Sequence, residues 1–273
     1  MANSIFNLQK YPIDNLHSNA AGKLVSSVRE QLDQQGSCTL PDFVCDDALS
    51  RMANQAMSLV DLAYAGPTEV SPYFFNYAIA DGFDDTDDHP VHYKGKRNLR
   101  QVAADLIPPD HLLSELYHST LMTDFLGAVL NKSVYRNQDK YQSLNISVMD
   151  NGGCQQWHFD GGNMVTTLLL QAPEAGGEFE YAQDIRSDSD ENFDAVKQVL
   201  DGTSPAVKSL QLQAGTLSLF RGHYSLHRVT EVVGNRKRLQ AILGYSTKPD
   251  LVGNIDSSVL HYGSRVRSGN GAL

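Results

Sequence analysis

Gln155-Gln156-Trp157-His158-Phe159-Asp160 is the stretch from which the rest of this 273-residue chain is read. Residues two apart on a strand share a face, so an extended backbone turns His158 and Asp160 one way and Trp157 the other. An imidazole and a carboxylate so placed reach one metal ion together. They supply two ligands of a 2-His-1-carboxylate facial triad, which suits Fe(II) and leaves three coordination positions open. An H-x-D tripeptide also arises by chance: a hydrogen-bonded strand histidine, followed by an aspartate at the Gly161-Gly162 turn, explains it without a metal. Its weight depends on what surrounds it.

Outward from the motif, the chain from about Ser133 reads as short β-branched or aromatic-rich runs: Tyr141–Met149, Met164–Gln171, Gly177–Ala182, Ser209–Gln213, Leu217–Arg221, Arg228–Val233 and Arg238–Ser246. Asn-Gly-Gly, Pro-Glu-Ala-Gly-Gly, Ala-Gly and Gly-Asn punctuate them, and strands at that spacing predict a sandwich or barrel. Asp190–Leu200 reads as a brief surface helix between two strands. Upstream the pattern is helical. Leu16 to Leu32 holds apolar residues at helical spacing and stops at Gln34-Gln35-Gly36. A short extended piece, Cys38-Thr39-Leu40, follows. Asp46 reads as the N-cap of a helix over Ala48–Ala63, with Leu49, Met52, Ala53, Ala56, Met57 and Val60 as its stripe. Pro108-Pro109-Asp110 announces a third helix that carries Leu112, Leu113, Leu116, Tyr117, Leu121 and Phe125 inward and runs to Leu130. Between helices, Asp81–His89 packs five aspartates without EF-hand ligand spacing and reads as a solvated loop. The expectation is one α+β domain over 1–273: a mainly helical part (1–132), a β core (133–250) and a C-terminal tail (251–273).

Composition narrows the function classes. A hydrophobic fraction of 41% supports a real core. The longest aliphatic run, Val165–Leu170, is far short of the roughly 20 residues a membrane helix needs. Met1–Lys10 lacks the basic start and apolar stretch of a secretory signal. Cys38, Cys45 and Cys154 form no even framework, which suits free thiols in a reducing compartment, so a cytoplasmic protein is expected. With 22 basic against 32 acidic side chains, a formal charge of −10 argues against sequence-independent nucleic-acid binding.

A third ligand has to come from another strand, and Phe220-Arg221-Gly222-His223-Tyr224-Ser225-Leu226-His227-Arg228 offers two. His227 opens a β-type run; His223 falls in the turn after Leu217–Arg221, as a rim or structural histidine. His227 is preferred. Farther on, Arg236-Lys237-Arg238 leads into an apolar strand, and a buried guanidinium there is a natural anchor for a carboxylate. Arg236 and Arg238 share a face, so parity does not separate them. Arg238 runs directly into the apolar strand and is preferred, with Arg236 and Lys237 at a solvent-facing hairpin end. Smaller signals have two readings each. Thr166 and Thr167 each offer a hydroxyl, Gly176-Gly177 serves a close backbone approach or a plain turn, and Arg97 and Arg100 are a solvated basic stretch or a carboxylate holder. Cys154 has no basic neighbour to make it a nucleophile.

H-x-D, a histidine 69 residues after His158 and an arginine 11 beyond that resemble the Fe(II)/2-oxoglutarate-dependent oxygenase superfamily. Over residues 141–248, Trp-His-Phe-Asp, Thr-Thr-Leu-Leu-Leu-Gln, Gly-Gly-Glu-Phe-Glu-Tyr, Gly-Thr-Leu-Ser-Leu-Phe-Arg-Gly and His-Arg-Val-Thr recur in order. That fuller pattern resembles the subfamily of free-amino-acid halogenases and their hydroxylating relatives, as does Leu106–Leu130 ahead of the core. The resemblance implies a double-stranded β-helix, or jelly-roll, preceded and flanked by helices. It implies Fe(II) on His158, Asp160 and His227, with 2-oxoglutarate held at its far carboxylate by Arg238. It also implies use of O₂, release of succinate and CO₂, and oxidation of a C–H bond. Halogenases of that subfamily carry a small residue in place of the carboxylate, leaving room for chloride. Asp160 is retained here, so hydroxylation of a small polar metabolite, a free or modified amino acid, is expected. A peptidyl or protein hydroxylase and a non-catalytic jelly-roll binding protein are the alternatives.

Overall fold

Two six-residue strands organise the molecule. In Leu144–Met149, Leu144, Ile146 and Val148 point to an apolar core while Asn145, Ser147 and Met149 point to a cavity. In Arg238–Leu243, Leu239 and Ala241 join the same core while Arg238, Gln240 and Ile242 face the same cavity. The two pair antiparallel, Arg238 opposite Met149 and Leu243 opposite Leu144, so like faces coincide. A one-residue slip would bury the polar set among leucines, and that cost fixes the register.

The computed structural model describes residues 5–84 and 88–268. In chain order its strands are β1 (Ser37–Leu40), β2 (Tyr64–Ala65), β3 (Glu69–Val70), β4 (Gly95–Asn98), β5 (Arg100–Val102), β6 (Tyr135–Arg136), β7 (Leu144–Met149), β8 (Cys154–His158) and β9 (Val165–Gln171). There follow β10 (Ala175–Gly176), β11 (Phe179–Ala182), β12 (Val207–Leu210), β13 (Leu217–Phe220), β14 (Leu226–Val229), β15 (Val232–Val233), β16 (Arg238–Leu243) and β17 (Tyr245–Ser246). The helices are α1 (Asn19–Gln35), α2 (Asp46–Ser58), α3 (Leu112–His118), α4 (Thr120–Leu130), α5 (Phe193–Leu200), α6 (Ile255–Tyr262) and α7 (Arg265–Ser268). A seven-stranded sheet runs β1-β13-β9-β16-β7-β5-β2, and a six-stranded sheet runs β12-β11-β14-β8-β4-β3. These are the two sheets of a jelly-roll core, open at their edges, with the cavity between them.

The apolar face of the larger sheet lies under the N-terminal helices. Val28 and Leu32 of α1, Met52 and Ala56 of α2, Leu116 of α3 and Phe125 of α4 pack with Ile146, Val148, Leu168, Leu170, Leu239 and Ala241. Each fully buried aliphatic side chain contributes about 1.5–3 kcal/mol, so this layer carries much of the stability. The outer face of the smaller sheet is covered separately: Trp157, Phe159 and Leu226 pack with Tyr73 and with Val196 and Val199 of α5. Trp157 therefore faces away from the cavity.

Several boundaries differ from the sequence reading. α1 begins at Asn19 because Ser18 accepts a hydrogen bond from the Ala21 N–H (3.1 Å), and it ends at Gly36 in the left-handed region (φ 68°). Asp46 is the first residue inside α2, not its cap; it and Asp47 sit in the first turn, where negative charge meets the positive end of the helix dipole. The segment read as one helix to Leu130 is two, because Ser119 turns out of the helix and its side chain accepts from Leu121 N–H to start α4. The helix expected over Asp190–Leu200 forms only from Phe193. The tail folds into α6 and α7, and α6 helps to wall the cavity. Part of the aspartate-rich Asp81–Asp88 loop, residues 85–87, lies outside the described residues; Asp88 pairs with Lys197 at 2.7 Å. No helix among the described residues is long and apolar enough to cross a membrane. The three cysteines are unpaired.

Candidate active site

β8 and β14 are neighbours in the smaller sheet, and their register sets His158 directly opposite His227. Both rings point inward, with centroids 4.1 Å apart. Asp160 lies two residues beyond the end of β8. Its backbone N–H donates to Gly222 O (3.0 Å), which holds it in line with the strand and returns its side chain to the face of His158. One carboxylate oxygen lies 3.9 Å from His158 Nε2 and the other 3.2 Å from His227 Nε2. Among the described residues, His158, Asp160 and His227 are the one group of three histidine, cysteine or acidic side chains whose ligating atoms gather in this way, all within 4.8 Å.

The second nitrogen of each ring shows which atom faces the centre. His158 Nδ1 donates to Gln156 O (2.8 Å) and His227 Nδ1 to Ser225 O (2.9 Å). A carbonyl accepts only from N–H, so both Nδ1 atoms carry protons and the Nε2 lone pair of His158 is turned inward. There it meets the Gln155 side-chain amide at 2.9 Å. Backbone carbonyls that orient imidazoles in this way are the usual support of metal-ligating histidines. Asp160 Oδ2 is buried and finds no hydrogen-bond partner among the described residues. Two imidazoles and a carboxylate oxygen without a hydrogen-bond partner, gathered in so small a space, make a cradle for a cation. The donor set fits a divalent ion that takes nitrogen and oxygen ligands.

Burial first, then the neighbouring His227, holds His158 down to about 3, so its ring stays neutral and available as a ligand. Burial pushes the Asp160 carboxyl up, but the imidazoles of His227, His158 and His223 outweigh it and leave the group below its ordinary value. His223 sits behind the centre: its Nδ1 lies 3.2 Å from Asp160 O and 3.3 Å from an Arg186 nitrogen, and its own carbonyl accepts from Arg186 Nε at 2.6 Å.

The cavity beside these groups measures about 420 Å³. Arg238, 4% exposed, faces into it from β16, and its Nε donates to Gly177 O at 3.2 Å. Burial lowers its pKa to about 10, still cationic at neutral pH. Gly177 adopts φ 63°, and a Cβ there would lie 3.0 Å from Arg238 Cδ, so the glycine serves a close approach as well as a turn. Arg236 lies outside, donating to the carbonyls of Ala172 and Pro173. Lys237 is not a free hairpin cation: it pairs with Asp150, which also binds Arg100 at 2.9 Å. Of the two threonines, Thr167 lines the cavity.

Arg97 overturns the reading of a solvated basic stretch. It is 3% exposed on β4, lines the cavity and donates to Gln101 Oε1 at 2.9 Å. Sequence reasoning also passed over Asn145, Ser147 and Gln240, and it passed over His261 and Tyr262, which α6 brings to the wall. A signal for the first three existed: polar residues at every second position of strands otherwise apolar enough to be covered on both faces. For α6 a helix signal existed, Asn254 as cap with Ile255, Val259 and Tyr262 at helical spacing before Gly263, but nothing in it placed the helix against the cavity, and the segment read as part of a tail.

Residues 84–261, well over half of the chain, match the family described as Halogenase D. The chain belongs to the Halogenase D family. Among curated proteins, none matches it significantly. Solved structures similar to this Halogenase D family chain include an oxidoreductase of the 2OG-Fe(II) oxygenase family from Burkholderia pseudomallei, at 15% identity and TM-score 0.51, covering 83% of this chain and 92% of that one. HygX from Streptomyces hygroscopicus, solved with nickel, 2-oxoglutarate and hygromycin B, is similar at 13% identity and TM-score 0.52 over 81% and 86% of the two chains. A prolyl hydroxylase from Trichoplax adhaerens, in complex with a hypoxia-inducible-factor peptide, gives 13% and 0.52 over 81% and 89%. At these identities the likeness is one of fold.

Proposed function

We propose that this Halogenase D family member is an Fe(II)- and 2-oxoglutarate-dependent oxygenase. It hydroxylates a C–H bond of a small polar metabolite, a free or modified amino acid. The observation that carries the reading is the convergence of His158, Asp160 and His227 with both Nδ1 protons tied to backbone carbonyls. Iron bound there would supply O₂ activation coupled to oxidative decarboxylation of 2-oxoglutarate to succinate and CO₂.

The chain's own residues divide the remaining work. His158, Asp160 and His227 would hold the metal beside the cavity. Arg238 pairs with the far carboxylate of 2-oxoglutarate, and its burial strengthens that charge-assisted pairing. Arg97, buried on the cavity wall, is the candidate holder of a substrate carboxylate. Asp160 keeps the position that an external halide would need, which supports hydroxylation over halogenation. α6 walls the cavity with His261 and Tyr262, which favours a small molecule over a peptide lying in an open groove.

Anaerobic addition of Fe(II) and then 2-oxoglutarate tests the cofactor assignment without knowledge of the substrate. The chelate has a visible charge-transfer band, expected in the wild type and absent in His227→Ala. Folded protein that gives no band and binds no iron would instead identify a binding protein on the same scaffold.

A further inference from the structure

Gly222 lies in the turn between β13 and β14, buried, and directly against the carboxylate of Asp160. A Cβ built on Gly222 would stand 2.2 Å from Asp160 Oδ2 and 3.0 Å from both its Cβ and its Cγ. The first distance is well inside van der Waals contact, and the other two leave no slack behind it. Nothing in the backbone demands glycine at this position, because Gly222 is not among the residues with positive φ. No left-handed backbone therefore requires glycine there, and the three nearest atoms an alanine methyl would meet all belong to Asp160.

Between the histidines the carboxylate has no slack, and the open space beside it is the cavity. His227 Nε2 stands 3.2 Å from the same oxygen, Oδ2. The backbone cannot draw back either, since Asp160 N–H is bonded to the carbonyl of Gly222 itself (3.0 Å) and Asp160 O lies 3.2 Å from His223 Nδ1. A methyl group at position 222 would therefore rotate the carboxylate off the histidine pair instead of shifting the loop.

We propose that Gly222 is a positioning residue that reserves the space for a carboxylate ligand, so that residues 160 and 222 act as one coupled pair. Together they decide whether the chain's own carboxylate or an external anion completes the metal centre. This deepens the reading of the site as a metal centre and rests on it. Its consequence is specific: alanine at 222 should mimic loss of the carboxylate when Asp160 is present, and should be harmless when Asp160 is gone.

The test is a four-protein cycle of wild type, Gly222→Ala, Asp160→Gly and the double variant. Thermal unfolding is followed on metal-free protein, and Co(II) titration by visible spectra with and without azide as external anion. Gly222→Ala is expected to lose about 10–100-fold in Co(II) affinity, the range seen when a ligand's positioning is lost. It should also gain an azide-dependent change in the Co(II) spectrum that the wild type lacks. In the Asp160→Gly background the same substitution is expected to cost nothing further, a non-additivity characteristic of residues in direct contact. Should Gly222→Ala fail to fold while the double variant folds, the clash with Asp160 is established by that alone. The proposal is overturned if Gly222→Ala binds Co(II) with the wild-type spectrum and affinity, or if its loss persists undiminished in the double variant. It is overturned equally if both Gly222→Ala proteins fail to fold, because the glycine would then serve the turn. A wild type that binds no Co(II) would sink the metal-centre reading itself, and the unfolding cycle would still report on the contact.

Discussion

At the scale of single residues, the site turns on two choices between neighbours four and two positions apart. His227 lies within β14, opposite His158, whereas His223 lies in the preceding turn and approaches Asp160 only from behind. His223→Ala is therefore expected to keep iron binding to within about 10-fold, the lower end of the losses seen when a supporting contact is removed, while His227→Ala loses it altogether. Isothermal titration with Fe(II) under argon measures both, and equal retention would reverse the assignment. Arg238 faces the cavity and Arg236 is tied to carbonyls on the outside. A buried carboxylate that loses a charged partner forfeits about 1.5–3 kcal/mol, so Arg238→Ala should raise the 2-oxoglutarate concentration needed for the charge-transfer band by roughly 10–150-fold. Arg236→Ala should leave it nearly unchanged. The reverse order would move the anchor to Arg236.

At the scale of elements, the helices and the cavity use opposite faces of one sheet. Met52 of α2 is completely buried against the apolar face, and the same strands present Ser147, Thr167 and Gln240 to the cavity. Met52→Ala is expected to lower unfolding stability by about 2–5 kcal/mol, the range for large-to-small substitutions in a packed core. Because the cavity face is untouched, the variant should bind metal as the wild type does wherever it remains folded. Denaturant melts paired with metal titration check this, and a variant of wild-type stability would mean that the helical layer does little for the sheet. At α6 the element scale supplied what the residue scale could not. Its apolar residues do not say what they pack against: Tyr262 packs with Tyr141 and Val266, and His261 stacks flat on Phe75.

At the scale of the whole molecule, burial of neutral histidines makes the fold acid-sensitive. His261 donates from Nδ1 to Ser257 O (2.8 Å), is packed by Phe74 and Phe75, and is held down to about 4, chiefly by burial and further by the charge of Arg97. The unfolded chain takes up that proton near the ordinary histidine value of about 6.5 and the folded chain does not, so stability is complete above that value and is lost as pH falls toward 4. The slope approaches about 1.4 kcal/mol per pH unit for this group. Denaturant unfolding of metal-free protein at successive pH values should show that loss, and His261→Gln should flatten it; an unchanged slope would place the sensitivity elsewhere. The sequence by itself determined the longer N-terminal helices, a sandwich or barrel of short strands after them, and the strands that carry His158, His227 and Arg238, while the jelly-roll class followed from the family resemblance. Strand alternation and turn residues are local physics, written within a few positions of each other. It did not determine where α6 lies, that Arg97 is buried, which threonine turns inward, or that Gly222 faces Asp160. Those depend on which strands become neighbours and on what packs across the gap between two sheets. Contacts between residues more than 60 positions apart, such as Asp160 with Gly222, are decided only when distant strands, here β8 and β14, become neighbours in a sheet.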